Sequence, residues 1–168
     1  MIREATGADL PFIRDLHLAS WRDAYRGMLT DAYLDGPVAE DMAARWAALP
    51  DPAVVLVAPD GFACCLLVEP IPYLDNLHAA PGARRTGIGR ALMARMASVL
   101  LERGERAMNL TVIDANRRAR LFYRAMGGAE GEPFEAEEGG DLILVRRVTW
   151  DEDALRTLAS LDAPEPQP

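Results

Sequence analysis

Tyr73 to Glu102 reads YLDNLHAAPGARRTGIGRALMARMASVLLE. It opens with an extended segment, Tyr73 to Ala80, and breaks at Pro81-Gly82. From Thr86 to Glu102 it turns into an Ala/Leu/Met/Arg-rich helix, with Ile88, Leu92, Met96, Val99 and Leu100 close to one stripe and Gly104 placed to end it. Between the two lies Arg84-Arg85-Thr86-Gly87-Ile88-Gly89-Arg90. A helix start offers unpaired amides, here those of Thr86, Gly87, Ile88, Gly89 and Arg90, and the positive end of the helix dipole, which together suit phosphate. Gly87 and Gly89 let the backbone approach an anion, and Arg84, Arg85 and Arg90 add charge able to neutralise a diphosphate. Two other phosphate loops are excluded, because Leu92 stands where Gly-x-Gly-x-x-Gly needs its third glycine and no glycine-lysine pair occurs. On its own, such a turn serves equally as a tight strand-to-helix connection.

Reading outward, Met108 to Ile113 is a strand. Asn116 then precedes a helix with apolar Ala119, Phe122, Ala125 and Met126, closed by Gly127-Gly128. Strands near Glu130 to Phe134 and Leu142 to Val148 follow, separated by an acidic turn, Glu135 to Asp141. A last helix spans Asp151 to Leu161. Upstream, Ile2 to Ala5 is a short strand and Pro11 sits in the first turn of a helix. Short helices follow over Thr30 to Leu34 and Val38 to Leu49, and Val54 to Val57 with Phe62 to Glu69 forms a hairpin through Pro59-Asp60-Gly61. The order requires an α/β (α+β) architecture: a mixed central sheet of six to seven strands with helices on both faces. One domain is expected over residues 1–161, with a Pro-rich tail at 162–168.

Half of the 168 residues are apolar, enough for a substantial core. With 26 acidic against 18 basic residues the formal charge is -8, which disfavours nucleic acid and is compatible with a cationic partner. Cys64 and Cys65 are adjacent in an apolar run and point to opposite faces if it is a strand, so no disulfide framework is expected. His17 and His78 lie far apart with no paired ligand spacing, and no metal is expected. No apolar stretch is long enough to span a bilayer and the charged start lacks a signal-peptide core, so the expectation is a cytoplasmic protein without a membrane partner.

Arg84, Gly87 and Gly89, followed at fixed distance by Asn116, Ala119, Phe122, Tyr123 and Gly127, match two patterns: Arg/Gln-x-x-Gly-x-Gly/Ala at a strand-to-helix turn, and Asn-x-x-Ala-x-x-Phe-Tyr-x-x-x-Gly. Through these residues the chain resembles the GCN5-related N-acetyltransferase (GNAT) superfamily over roughly residues 73–128. Gly128 departs from the pattern where many members carry an aromatic, which is expected to loosen local packing. Ala79 stands where a larger aliphatic residue is frequent.

The resemblance implies acetyl-CoA as co-substrate and transfer of its acetyl group to a primary amine by direct attack on the thioester. The acceptor is a small molecule, with a cationic, polyamine-like one among the candidates, or a protein N-terminus. It also implies that backbone groups of Leu77, His78 and Ala79 pair with the pantetheine arm, joined by Asn116 and Ala119 farther on. Tyr123 is placed to serve the departing thiolate. Asp75 is the first candidate for the base or water-orienting group, on the strand face it shares with Tyr73 and Leu77, and Glu69 is the second. His78 is expected to point away from them. Asn116 reads equally as a helix N-cap, and Asp75 as a solvated carboxylate. His17, Trp21 and Tyr25, four residues apart, suit either a core stripe or the wall of an acceptor pocket. The acidic Glu135 to Asp141 segment can border the acceptor. Family members are often dimers, which makes a homodimer an expectation. The alternative of another class is a non-catalytic acyl-CoA-binding sensor.

Overall fold

The runs Ala53 to Ala58 and Gly61 to Leu66 are apolar on successive residues, which a strand tolerates only when both faces of its sheet are covered. In the computed structural model, which describes residues 1–138 and 140–162, helices supply that cover. In chain order the elements are β1 (Arg3–Glu4), α1 (Leu10–Ala24), α2 (Asp31–Asp35), α3 (Val38–Arg45), β2 (Ala53–Ala58), β3 (Gly61–Leu66) and β4 (Tyr73–Ala79). Then come α4 (Ile88–Glu102), β5 (Met108–Ile113), α5 (Arg117–Ala125), β6 (Ala129–Glu138), β7 (Asp141–Trp150) and α6 (Glu152–Ala159). The strands form one seven-stranded sheet in the order β1-β2-β3-β4-β5-β7-β6, antiparallel except between β4 and β5.

Each face carries its own core. Leu92, Met96 and Leu100 of α4 pack with Leu56, Cys65, Leu110 and Trp150 on one side, while Ile13 and Leu16 of α1 pack with Trp46, Phe62 and Cys64 on the other. Adjacent Cys64 and Cys65 thus serve opposite cores, as strand alternation requires.

Two irregularities position the site. β4 and β5 share a single register pair, Tyr73↔Asn109, and then part. Asn109 anchors the junction: its side-chain amide donates to the carbonyls of Ile71 and Pro72, and its oxygen accepts from Arg147 at 2.5 Å. Beyond it the gap is bridged by side chains, with the Tyr73 and Thr111 hydroxyls 2.6 Å apart. The second irregularity is a bulge, because Asn76 pairs with Cys64 and Leu74 with Cys65, leaving Asp75 without a cross-strand partner. The alternation expected along this strand fails there. Leu74 and Leu77 both face the α4 core, whereas Asp75, Asn76 and His78 reach α1 and α3. Leu77 therefore does not share the Asp75 face, and His78 does.

Two further expectations change. The acidic stretch Glu135 to Asp141 is mostly strand: β6 runs to Glu138 and β7 starts at Asp141, so these two carboxylates are cross-strand partners. Gly128 does not loosen its surroundings. A Cβ there would lie 2.7 Å from the Trp150 ring and closer still to Val148. The indole, anchored by its N–H donating to the Met126 carbonyl at 2.9 Å, occupies the space a side chain would need. The Pro-rich tail expected at 162–168 falls, from residue 163 on, outside the described residues.

Candidate functional site

The glycine turn is built from left-handed backbone. Gly87 has φ 89° and caps α4, and Arg85 has φ 70°, a conformation that costs a non-glycine residue about 1 kcal/mol. Thr86 is spent inside the turn, its N–H and hydroxyl both donating to the Ala83 carbonyl. Among the described residues the N–H groups of Gly87, Ile88, Gly89 and Arg90 have no backbone partner, as expected for the first turn of a helix. A Cβ on Gly87 would meet nothing within 4 Å, whereas one on Gly89 would touch the Phe122 ring at 3.4 Å. Gly87 therefore faces open space, and Gly89 permits close packing against α5. Arg85 and Arg90 are exposed. Arg84 is turned inward and ion-paired with Asp23 of α1, so its charge ties the turn to that helix.

From this turn a groove of about 480 Å³ runs along Leu77, His78 and Ala79 to Tyr123. Because β5 has diverged, the β4 backbone has no ladder partner on that side beyond Tyr73 among the described residues. A ligand with a diphosphate at one end and amides along an arm is matched by the donors of the turn and by this open strand edge. Asn116 caps α5, its side-chain oxygen accepting from the Ala119 N–H at 3.1 Å, and both residues line the groove.

At its inner end the groove opens into a second space of about 270 Å³ between α1, α3, β4, β5 and the β6–β7 hairpin. Tyr25, His78, Asn116, Ala119 and Tyr123 line both. Aromatic walls come from Trp21, Tyr25 and Tyr73, and charge from Asp41, Asp75, Glu138 and Arg45. Arg45 is ion-paired with Asp75 and also donates to the Asn76 side-chain oxygen at 3.2 Å. Burial raises the Asp75 pKa, and Arg45 offsets part of that rise. Asp41 accepts from the Tyr33 hydroxyl at 2.6 Å. Glu138 has no ion pair among the described residues, and its pKa is raised by burial and by the field of Asp75. With Arg45 neutralised by Asp75, the cavity is left with the uncompensated charge of Asp41 and Glu138.

Two histidines stiffen the wall. Trp46 Nε1 donates to His17 Nδ1 at 2.8 Å, so the neutral ring carries its proton on Nε2. Burial pushes His17 down to about 2. His78 Nδ1 lies 2.9 Å from the Ser20 hydroxyl, and burial together with Arg84 pushes it down to about 3. Both rings are neutral at physiological pH.

The structure thus brings Asp75, Tyr123, Asn116, Ala119, Leu77 to Ala79 and the Gly87 to Arg90 amides to one continuous cleft. Thr86 lies outside the lining of the groove, whereas Arg85 and Arg84, the latter ion-paired with Asp23, are part of it. Glu69 lines neither space. Sequence reasoning missed Arg45, Asn76 and Thr111, whereas Tyr73 was expected on the Asp75 face and Glu138 in the acidic segment beside the acceptor; both line the inner cavity. Arg45 is placed by the angle of α3 and carries no local signal, while Asn76 enters only through the bulge. His17, Trp21 and Tyr25 all line the inner cavity, and His17 is at the same time buried.

Among the described residues no helix is long and apolar enough to cross a membrane, and no three metal-type side chains cluster. Comparison with known proteins gives a match to the acetyltransferase (GNAT) family model over residues 13–127. The bovine thialysine N-epsilon-acetyltransferase is 34% identical over 58 residues, a segment that spans 34% of either chain. The uncharacterized N-acetyltransferase YuaI of Bacillus subtilis (strain 168) is 28% identical over 168 residues, covering 94% of this chain and 96% of that one. The crystal structure of the PaiA N-acetyltransferase from Thermoplasma acidophilum in complex with coenzyme A superposes with a TM-score of 0.70 at 18% identity. That match covers 89% of this chain and 98% of the other, a likeness of fold.

Proposed function

The chain belongs to the acetyltransferase (GNAT) family, and from that premise we propose that it moves the acetyl group of acetyl-CoA to a primary amine of a small cationic molecule. One observation carries this reading: a groove that begins at phosphate-competent amides opens, at Tyr123, into an aromatic cavity with excess negative charge. A sensor that holds acyl-CoA without turnover needs the groove alone. The half-enclosed cavity also suits a small amine better than a protein N-terminus. Relatives point the same way, one being an enzyme named for acetylating thialysine and another a structure that holds coenzyme A.

In this reading the unpaired amides of Gly87 to Arg90, with Arg85 and Arg90, hold the diphosphate, and the open edge at Leu77 to Ala79 receives the pantetheine amides. An alkylammonium has a pKa of about 10, so only about one molecule in a thousand is a nucleophile at pH 7 and its proton must be taken up. Asp75, fixed by Arg45, orients the water that takes it. Tyr123 donates its proton to the leaving thiolate. Glu138 and the Trp21 and Tyr25 rings attract the acceptor's cation.

The test is release of CoA thiol from acetyl-CoA with a panel of diamines, monoamines and amino acids, with products identified by mass. All 18 basic residues are arginine, so no side-chain amine of the protein competes as acceptor. Turnover highest with diamines is expected. Turnover confined to amino acids or peptides would replace the acceptor class, and binding without turnover on any amine would favour the sensor.

A further inference from the structure

Two phenols meet where the groove enters the cavity. Tyr25 caps the C-terminus of α1 and Tyr123 projects from α5, and each lines both spaces. The Tyr25 ring is held edge-on to Trp21, centroids 5.0 Å apart at 85°, and the Tyr123 ring edge-on to Trp150, 6.1 Å apart at 85°. A third phenol on this wall, Tyr73, is partnered by Thr111 at 2.6 Å. The hydroxyls of Tyr25 and Tyr123 have no hydrogen-bond partner among the described residues, whereas that of Tyr73 does. Burial pushes Tyr25 up to about 12 and raises Tyr123 as well, the nearby Tyr25 contributing to the latter. Both hydroxyls are therefore protonated donors throughout the neutral range, and in the cleft they both line they are free to donate to an acceptor on the ligand.

Acetyl transfer develops negative charge at two atoms, the carbonyl oxygen during attack and the sulfur during collapse. Tyr123 accounts for the sulfur. We propose that Tyr25 is a second catalytic residue, whose O–H donates a hydrogen bond to the thioester carbonyl oxygen as it becomes an oxyanion. This assignment rests on the acetyl-transfer reading of the site. As the amine lone pair forms the C–N bond, the carbonyl π pair moves onto the oxygen facing Tyr25. When that pair returns, the C–S bond breaks with its electrons on sulfur, which takes the Tyr123 proton. The proton shed by the new N–C centre leaves through the water at Asp75 and restores the Tyr123 phenol. Any strand amide facing the same oxygen adds to Tyr25 and does not replace it.

Tyr25→Phe keeps the ring against Trp21 and the backbone cap of α1, and removes only the donor. The expected result is a kcat lower by about 10- to 100-fold, with acetyl-CoA affinity by calorimetry and amine KM within about twofold of the wild type. A readout independent of turnover is 3-fluorotyrosine at position 25. Its fluorine resonance should move when acetyl-CoA is added and move less with CoA lacking the acetyl group. A Tyr25→Phe kcat equal to that of the wild type overturns the assignment alone. A wild type that binds acetyl-CoA yet acetylates no amine overturns the transfer reading and the assignment with it. If Tyr25→Phe does not fold, the fluorinated protein decides, and a resonance indifferent to the acetyl group is the negative result.

Discussion

Arg45 at the end of α3 holds Asp75, the unpaired residue of the β4 bulge, in an ion pair and hydrogen-bonds the neighbouring Asn76. This cavity carboxylate is thus partly buried and ion-paired at once, burial raising its pKa and Arg45 drawing it back. Arg45→Gln removes the downward influence and leaves the upward one. The Asp75 pKa in the folded protein then rises, and activity that needs the carboxylate is lost at higher pH than in the wild type. A kcat/KM profile over pH 5–9 checks this, with the acid limb of the variant displaced upward. An undisplaced limb would separate Asp75 from the rate.

Glu138, like Asp41, is a cavity carboxylate without an ion pair among the described residues. Glu138→Gln keeps its shape and removes its charge. The KM for a diamine should rise about 5- to 10-fold, as expected for loss of one charge-assisted contact, with little change for a neutral-tailed monoamine. Equal effects on both amines would place Glu138 outside the acceptor contact.

His17 is buried and His78 partly buried, and both are neutral at pH 7, their folded pKa values lowered by burial to about 2 and about 3 from an ordinary 6.5. The unfolded chain takes up these protons as pH falls through 6.5, while the folded protein resists until pH 2–3. Stability is therefore fully present above pH 6.5 and is lost progressively below it, by about 2 kcal/mol for one such histidine between pH 7 and pH 5. Urea denaturation at the two pH values measures the loss, and His17→Gln should flatten the dependence.

Gly128 is committed to Trp150. Gly128→Ala drives a methyl group into the indole and Val148, and should cost about 2–3 kcal/mol, or roughly 5–10 °C in Tm for a chain of this size. Thermal unfolding followed by circular dichroism reads it.

The parts of this molecule that depend on local rules were legible in the sequence. The strand, glycine turn and amphipathic helix around Gly87 follow from backbone freedom and helix-end donors, and Asn116 caps α5 as its residue type suggests. Apolar runs at Val54 and Phe62 implied a sheet covered on both sides. What escaped depends on contacts between distant segments. The bulge at Asp75 appears in no periodicity and reverses the facing of Leu77 and His78. Arg45 reaches β4 only because α3 docks beside it, and the ion pair of Arg84 with Asp23, near the end of α1, joins two segments far apart in sequence. The vacancy at Gly128 resembled a packing defect until Trp150, 22 positions later, was seen to fill it.

Calorimetric titration of acetyl-CoA into the wild type and into Gly87→Glu bears most directly on the cofactor cleft. Gly87 faces open space, so the longer side chain meets no clash and its carboxylate enters the anion position, while the left-handed backbone at φ 89° costs the variant about 1 kcal/mol of stability. One saturable site in the wild type, weakened on the order of 100-fold or more in a variant that still melts cooperatively, is the predicted outcome. Equal affinity in the two proteins, or no heat with either, would contradict it.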